Sequence, residues 1–294
     1  MSLPSLQWNI QERLNKTSGY NINEIHFDSV GGGCINETYR ISCGQHDFFC
    51  KINSASKFPQ LFEKESQGLK LIAEQNQIKV PAVIDCFETN GQQILLLEWI
   101  NESERTENFW KKFGNQLAAL HNVSNDYFGL TEDNYMGSIT QSNKPSFNWI
   151  DFFTQQRLQP LLQKCRFQNL LSTKHHSQFE SFFKQLPLIF DNEQRPALLH
   201  GDLWSGNFMC NRNSEPVLID TAVYFGHPSI DLGMTTLFGG FAPGFYEAYN
   251  YHSPLPSNHK DQWEVSSVYP LLIHLLLFGR SYLPQIERIV NRYN

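Results

Sequence analysis

In the first hundred residues, apolar and polar positions alternate in a way that is typical of β-strands. Four short segments carry this pattern: residues 38–42, 46–53, 82–88 and 93–100. Gly44 separates the first two segments, and Asn90 with Gly91 separates the last two. Each pair is therefore predicted to form a hairpin, because these residue types favour tight turns between strands.

A helix is predicted between the two hairpins. Four residues recur there at steps of three and four: Phe62, Glu65, Leu69 and Ile72. This spacing places them on one helical face. The order of strands, one helix and strands predicts a small antiparallel sheet with one packed helix.

After residue 100 the pattern changes to a helical period. One stripe consists of Phe109, Phe113, Leu117 and Leu120, and further helical segments cover residues 147–165, 176–190 and the chain from about residue 262 onward. Residues 197–225 are an exception, since they contain short strand-like runs. The polar stretch 101–108 suits an exposed connector. The sequence thus predicts an α+β protein with two lobes, at residues 1–100 and 101–294.

Composition and charge limit the binding partners and the cellular compartment that are expected. The net charge is −6 and no basic stripe occurs, which argues against a nucleic-acid partner. Six scattered cysteines without a C-x-x-C pair favour reduced thiols in the cytoplasm over a zinc site or a disulfide scaffold. The most apolar segment, residues 269–279, is too short to span a bilayer, so no membrane partner is expected.

One short loop combines the residue types that phosphoryl transfer needs. Residues 200–207 ("HGDLWSGN") follow the apolar segment 197–199 and lead into the strand-like "NFMC". A carboxylate there could orient an attacking hydroxyl and accept its proton, while hard oxygen ligands hold Mg²⁺. Asp202 fits the first role, and Asn207 with Asp220, at the end of "PVLID", fits the second. The alternative is an ordinary turn in which aspartate and asparagine bond to nearby backbone.

A glycine-rich turn in the first lobe is a candidate phosphate-binding element, because glycines let backbone N–H groups approach phosphates closely. The candidate nucleotide-binding residues of this turn are Gly31, Gly32, Gly33, Cys34, Ile35 and Asn36. The turn matches neither G-x-G-x-x-G nor a P-loop, so a plain hairpin turn is the alternative.

Lys51 and Glu65 form a candidate ion pair. Lys51 ends an apolar strand after Phe48 and Phe49, and Glu65 lies on the apolar stripe of the predicted helix. A lysine held by a helix glutamate can reach the α- and β-phosphates of a nucleotide, as it does in kinases. Because both residues adjoin apolar positions, a buried pair is favoured over a solvated one.

The order of these parts resembles the protein-kinase-like phosphotransferase fold, in its aminoglycoside and choline kinase branch. No arginine follows His200, Trp204 stands where protein kinases have lysine, and neither D-F-G nor A-P-E occurs, which disfavours a Ser/Thr/Tyr protein kinase. The chain is more similar to the fructosamine kinase (ketosamine-3-kinase) family. Segments over nearly the whole chain carry this resemblance: "GGGCINETYRI", "FFCKIN", "LFEKESQGLKLI", "PALLHGDLWSGN", "YFGHPSIDLGMTTLFGGF" and "FYEAY".

The resemblance implies a function for each lobe: nucleotide binding for residues 1–100, and the catalytic loop with the acceptor site for residues 101–294. It implies transfer of the γ-phosphate of ATP to the C3 hydroxyl of a ketosamine on a free or protein-bound amine. Fructosamines, ribulosamines and erythrulosamines, including glycated lysine, are the implied acceptors. The phosphorylated adduct is unstable and releases the amine, so the implied process is deglycation repair.

By the same resemblance, Asp202 is the base, and Asn207 with Asp220 holds Mg²⁺. The further positions implied to bind ATP are Lys51, Glu65, Glu98, Trp99 and Ile100, the last three through their backbone. Thr221 stands where the family usually has proline, so the turn after Asp220 is expected to be less rigid.

Supporting roles are expected for other polar residues. His200 and His227 are expected to anchor turns. Asp231 is expected to accept hydrogen bonds from the catalytic loop, or else to be a simple first-turn helix charge.

Trp204 and Cys34 each have two interpretations. Trp204 either stacks on the acceptor or packs as a rigid cap over the catalytic loop. Cys34 is either a small residue suited to a tight turn or a thiol whose oxidation regulates nucleotide binding. A monomer or a redox-linked dimer is therefore expected.

Two other functions would use the same motifs. An aminoglycoside, choline or homoserine-type kinase would keep the fold and differ in its acceptor. A non-catalytic pseudokinase would bind nucleotide without transferring phosphate, although all five polar catalytic positions are present in this chain.

Overall fold

The computed structural model describes residues 3–31, 35–191 and 193–293. The helices in these ranges are α1 (Leu3–Thr17), α2 (Leu61–Gln75), α3 (Glu107–His121), α4 (Trp149–Phe152), α5 (Gln159–Phe167), α6 (Thr173–Ile189), α7 (Ser229–Leu237), α8 (Pro243–His252), α9 (His259–Ser266), α10 (Val268–Phe278) and α11 (Leu283–Arg292), with a π-helix at Phe153–Leu158 and a 3₁₀ turn at Arg280–Tyr282. The strands are β1 (His26–Ser29), β2 (Glu37–Cys43), β3 (His46–Ser54), β4 (Val83–Thr89), β5 (Gln92–Glu98), β6 (Asn134–Met136), β7 (Ile139–Gln141), β8 (Ala197–Leu199), β9 (Phe208–Cys210), β10 (Pro216–Leu218) and β11 (Tyr224–Gly226).

The chain divides into two compact units. The first contains Met1–Glu104 and Met209–Ile219, and the second contains Arg105–Phe208 and Asp220–Asn294. Residues 209–219 therefore group with the N-terminal residues. Within that segment β9 and β10 pair as a two-stranded sheet.

The first unit is built on a five-stranded antiparallel sheet with the order β1-β2-β3-β5-β4. Both predicted hairpins are confirmed: β2 pairs with β3 and β4 pairs with β5. The turn between β4 and β5 has positive φ at two consecutive residues, 52° at Asn90 and 77° at Gly91. This is the backbone that a two-residue hairpin turn requires, and asparagine followed by glycine adopts it readily.

Two helices accompany this sheet. The predicted helix α2 is present and buries Phe62, Leu69 and Ile72, as its spacing indicates. The hydrophobic pattern did not predict α1, which contacts β4. Arg13 of α1 donates two hydrogen bonds to the carboxylate of Asp85, at 2.7 and 2.9 Å, so α1 belongs to the first unit as firmly as α2.

The second unit is mostly helical, as predicted. All four residues of the predicted α3 stripe are buried. Helix α3 packs closely on α8 at Gly114, where a β-carbon would overlap the backbone carbonyl of Phe245. No helix within the described ranges is long and apolar enough to cross a membrane.

Candidate functional site

The loop at residues 200–207 leaves β8, which pairs antiparallel with β11. Its backbone lies against the residues that precede β11, since the N–H of Ala222 donates to the carbonyl of His200 at 2.9 Å. Gly201 has a φ of 85°, which an L side chain rarely adopts. A β-carbon at Gly201 would also overlap the carbonyl oxygen of Ala222, so glycine is required there on two grounds.

Asp231, in the first turn of α7, holds the start of this loop. Its carboxylate accepts hydrogen bonds from the backbone N–H of His200 at 2.7 Å and of Gly201 at 2.9 Å. The expected role of Asp231 as an acceptor for the loop amides is therefore confirmed. The side chain is fully buried, which strengthens these charge-assisted bonds.

His121 and Tyr249 extend this arrangement and were not predicted from the sequence. Nε2 of His121 lies 3.2 Å from Asp231, and Nδ1 of His121 lies 2.8 Å from the hydroxyl of Tyr249. His121 is the last residue of α3 and lies far from Asp231 along the chain, so no local pattern indicates the contact. The loop is thereby tied to α3, α7 and α8.

Asp202 and Asn207 are brought together by the loop. The amide nitrogen of Asn207 donates to the backbone carbonyl of Asp202 at 2.8 Å and to its Oδ2 at 2.9 Å. Burial and the negative charge of Asp220 raise the pKa of Asp202 to about 7, although the Asn207 hydrogen bond acts in the opposite direction. A carboxylate with such a pKa can accept a proton near neutral pH.

Asp220 is not in a strand, contrary to the prediction that it ends one. Strand β10 ends at Leu218, and Asp220 has a φ of 54°, in the left-handed region. The backbone that follows is held by two side chains that were not predicted: Gln141 donates to the carbonyl of Ala222 at 3.2 Å, and Asn134 donates to that of Val223 at 2.7 Å. These bonds fix the segment that carries Asp220 despite the absence of proline at position 221.

The donor set suits a divalent cation. No group of three or more His, Cys, Asp or Glu suited to a metal occurs in the described ranges, and the candidate ligands are the amide of Asn207 and the carboxylate of Asp220. Because the nitrogen of Asn207 donates to Asp202, its oxygen Oδ1 is the atom left to bind a cation. A cation would also relieve the repulsion by which Asp220 raises the pKa of Asp202. Oxygen donors of these types are those that Mg²⁺ prefers.

Gly201→Ala is expected to destabilise the second unit by roughly 2–4 kcal/mol, because strain of the left-handed backbone adds to the overlap with Ala222. Gly239→Ala is a matched control in the same unit, with a φ of 71° and no atom within 4 Å of the added carbon. Urea unfolding of the two variants measures the difference. Equal losses would show that the overlap with Ala222 contributes nothing.

The two histidines near the loop anchor turns, as expected. Nδ1 of His200 accepts from the N–H of Asp202 at 3.1 Å. Nδ1 of His227 accepts from the N–H of Ser229 at 3.1 Å. Burial, with a smaller contribution from His121, lowers the pKa of His227 to about 3.

Because the pKa of His227 is lowered, the free energy of unfolding of the protein is expected to decrease in acid. Its pKa is about 3 in the folded protein and about 6.5 when unfolded, so only the unfolded state gains a proton as the pH falls below 6.5. From pH 7 to pH 5 this should lower the free energy of unfolding by about 2 kcal/mol. His227→Asn keeps a hydrogen-bond acceptor for Ser229 but cannot titrate. The free energy of unfolding of this variant should therefore fall less between pH 7 and pH 5, by that amount. Chemical denaturation at both pH values checks this, and equal decreases would contradict it.

In the first unit, the Lys51–Glu65 pair is present. Nζ of Lys51 lies 2.6 Å from Oε1 of Glu65, and the two side chains are 3% and 11% exposed. The pair links β3 to α2, and it is buried as the neighbouring apolar positions indicate. A buried lysine held in one orientation could present its charge to a phosphate.

The candidate glycine turn is described only in part. Gly32, Gly33 and Cys34 lie outside the described residues. Gly31 is exposed, and the residues on the other side of the gap are held by Asn53 of β3. The amide nitrogen of Asn53 donates to the carbonyl of Ile35 at 3.2 Å and to the side chain of Asn36 at 2.7 Å.

The candidate adenine-binding residues lie at the end of β5 and just after it. Glu98 is the last residue of β5, and its N–H donates to the carbonyl of Ala82 at 2.9 Å. Trp99 and Ile100 continue without regular structure, which leaves their backbone outside the sheet. The ring of Trp99 lies under the guanidinium of Arg40, at 5.0 Å.

Trp204 packs on the loop at residues 200–207 and also faces solvent. Its ring lies so close to Gly206 that a β-carbon there would overlap it, and the side chain is 36% exposed. Packing on the loop is thus part of its role, while the exposed area leaves a surface for a ligand.

Comparisons with known proteins agree with this architecture. The sequence profile of the fructosamine kinase family matches residues 6–294. The probable ketoamine kinase of Synechocystis sp. is 34% identical over 96% of this chain and 95% of its own length. The chloroplastic protein-ribulosamine 3-kinase of Arabidopsis thaliana is 34% identical over 90% of this chain and 81% of its own length.

Solved structures share the fold. A Haemophilus somnus protein provisionally identified as a fructosamine-3-kinase has a TM-score of 0.89 at 27% identity, over 97% of both chains. A mutant aminoglycoside phosphotransferase APH(4)-Ia, in a ternary complex with AMP-PNP and hygromycin B, has a TM-score of 0.62 at 13% identity, over 96% of this chain and 98% of its own. The fold is therefore the two-lobed, protein-kinase-like α+β fold. With the profile matching nearly every residue, the chain belongs to the fructosamine kinase family.

Proposed function

We propose that this protein transfers the γ-phosphate of ATP to the C3 hydroxyl of a ketosamine. The observation that carries the proposal is the state of Asp202: a carboxyl group on a loop tied down by Asp231, with its pKa raised to about 7. Membership of the fructosamine kinase family supports ketosamines as the acceptor class. The names of the relatives, a ketoamine kinase and a protein-ribulosamine 3-kinase, point the same way.

In the proposed reaction, Asp202 orients the acceptor hydroxyl and accepts its proton. The hydroxyl oxygen then forms a bond to the γ-phosphorus as the bond to the β–γ bridging oxygen breaks, giving ADP, the 3-phosphate and a proton. Asn207 supports this step by holding Oδ2 of Asp202 at 2.9 Å, which limits the orientations of the carboxylate. Gly201 and Asp231 keep the loop backbone rigid, and a rigid loop reduces the entropy lost on reaching the reactive geometry.

Asn207 and Asp220 are the proposed ligands of Mg²⁺, because their oxygens match its preference for hard donors. When bound, Mg²⁺ would supply positive charge to the phosphates of ATP. In the first unit, Lys51 is the proposed cationic contact to the phosphates, and Glu65 keeps it in place. The turn at residues 31–36 is proposed to donate backbone N–H groups to phosphate, and the backbone of residues 98–100 to bind adenine.

The biological outcome proposed for this reaction is deglycation, since 3-phosphorylated ketosamines release their amine. The proposed acceptor is a ketosamine on a free amino acid or on a protein, and its sugar distinguishes fructosamine from ribulosamine or erythrulosamine chemistry. Oxidation of Cys34 is proposed as a means of regulation, because a thiol in a phosphate-binding turn would interfere with nucleotide binding once modified.

An assay of ATP consumption with a panel of acceptors tests the proposal. Fructosyl-lysine and ribulosyl-lysine should each be phosphorylated in the presence of Mg²⁺, with the phosphate on C3 by NMR. An aminoglycoside, choline and homoserine serve as the competing acceptors. Turnover confined to one of these, or nucleotide binding without turnover of any acceptor by the folded protein, would overturn the proposal.

A further inference from the structure

We propose that the second unit carries a subsite for the residue next to a modified lysine in a polypeptide substrate. The proposal rests on the proposed function, and it concerns a surface made of five rings, here called the aromatic row: Trp204, Phe238, His274, Phe278 and Tyr282. The row begins in the catalytic loop and ends beyond α10.

The rings of the row follow one another at contact distance. Trp204 and Phe238 have centroids 6.1 Å apart, and Phe238 and His274 have centroids 4.9 Å apart. His274 then contacts Phe278 at 5.4 Å and Tyr282 at 5.0 Å. Such spacing is typical of packed aromatic side chains, so the row is a continuous surface and not a set of separate rings.

Three of the five rings of the row are exposed to solvent, and the other two are half-buried. Trp204, Phe238 and Phe278 are 36%, 39% and 51% exposed, although all three are large and apolar. Isolated exposed rings are ordinary, but a contiguous group of them is typical of a binding surface.

The row is physically joined to the catalytic loop. Trp204 lies two residues after Asp202, and its ring packs on Gly206 of the same loop. The turn that follows Phe238 also contacts the catalytic loop. A β-carbon at Gly240, in that turn, would lie 2.7 Å from the side chain of Ser205, in the loop. A substrate whose hydroxyl reaches Asp202 would therefore have the row beside it.

The row bears no charge at neutral pH. Nδ1 of His274 donates to the carbonyl of Pro270 at 2.8 Å, and burial lowers the pKa of His274, so the ring is neutral. Its Nε2 is then a hydrogen-bond acceptor within an apolar surface. The α-ammonium and α-carboxylate of a free amino acid would find no opposite charge among these side chains.

These properties fit a polypeptide better than a free amino acid. The distances between successive ring centres from Trp204 to Phe278 together equal the length of at most about five residues of extended chain. The row is therefore longer than a single sugar. A peptide presents a neutral backbone, whose N–H groups could donate to His274, and apolar side chains that can pack on rings. The geometry points to a peptide segment with an aromatic or apolar residue beside the modified lysine.

Two acetylated and amidated peptides test this, each with one ribulosyl-lysine, followed by Phe-Leu in the first and Ser-Gly in the second. Nα-acetyl-ribulosyl-lysine amide is the small acceptor without neighbours. The Phe-Leu peptide should have a KM about fivefold or more below that of the Ser-Gly peptide, with a similar kcat. Phe278→Ala should remove this difference and leave kcat and KM for the small acceptor unchanged.

Phe167→Ala is the matched control, because Phe167 is 89% exposed at the end of α5 and belongs to no part of the row. It should preserve the preference for the Phe-Leu peptide. Phe238→Ala is a second test within the row, and thermal melting of each variant confirms that it is folded. Equal KM values for the two peptides, or loss of the preference in Phe167→Ala alone, would overturn the subsite. If no ketosamine is phosphorylated at all, the proposed function fails and the subsite with it.

Discussion

Asp202→Asn is expected to lower kcat on ketosamines by about a thousandfold or more, while the affinity for ATP stays nearly the same. The carboxylate is needed only as the hydroxyl loses its proton, so its removal acts on the transition state and not on nucleotide binding. An asparagine at this position can still accept the hydrogen bond from Asn207. Steady-state kinetics and calorimetric titration with ATP measure the two quantities.

The same substitution is expected to stabilise the protein without ligands. Because the pKa of Asp202 is about 7 when folded and near 4 when unfolded, its ionised form opposes folding at pH values above 4. Removing the charge should raise the free energy of unfolding near neutral pH by roughly 4 kcal/mol. Asp126→Asn, at an exposed position outside the helices of the same unit, is the control and should change neither turnover nor stability. Turnover within tenfold of the unaltered protein would contradict the role of Asp202 as the base.

Lys51→Met is expected to lower kcat/KM for ATP by about a hundredfold to a thousandfold. The methionine fills a similar volume but lacks the positive charge, and one preorganised contact to a transferring phosphate contributes on this scale. The variant should also be less stable by roughly 3 kcal/mol, because Glu65 loses its ion pair with Lys51 in a site that is only 11% exposed.

A double variant separates the two effects of this substitution. Lys51→Met with Glu65→Met replaces the buried pair by apolar side chains and should recover most of the stability, because well-packed apolar residues replace such pairs at little cost. It should recover none of the activity. Lys79→Met is the control in the same unit, since Lys79 also forms an ion pair, with Glu215, but its side chain is 54% exposed. Recovery of kcat/KM in the double variant would show that Lys51 serves only the fold.

The parts of the fold that were predictable have local signals. Gly44 marks the turn between β2 and β3, and Asn90 with Gly91 marks the turn between β4 and β5. Helix α1 also carries a periodic signal, since Leu6, Ile10 and Leu14 recur every four residues and are buried, but the polar residues between them obscured it. Such a helix gains its stability from packing against the sheet, which a local pattern does not record.

The parts that were not predictable depend on contacts between distant residues. His121 supports Asp231 across 110 positions, and nothing near His121 distinguishes it from an ordinary polar residue at a helix end. Arg157 is buried in the π-helix, where its guanidinium donates to Asn143 at 2.7 Å and lies 3.9 Å from the ring centre of Tyr224. In the sequence, the stretch around Arg157 is indistinguishable from a solvated helix face.

Few substitutions of Asp220 are expected to be tolerated. Asparagine, aspartate and glycine readily adopt its φ of 54°, whereas for other residues this left-handed conformation costs about 1 kcal/mol or more. A lineage that acquired glutamate would keep the charge and strain the turn, and one that acquired glycine would relax the turn and lose the oxygen. Only asparagine keeps both the turn and an oxygen, so the backbone shape and the proposed cation ligand together leave position 220 almost no alternatives.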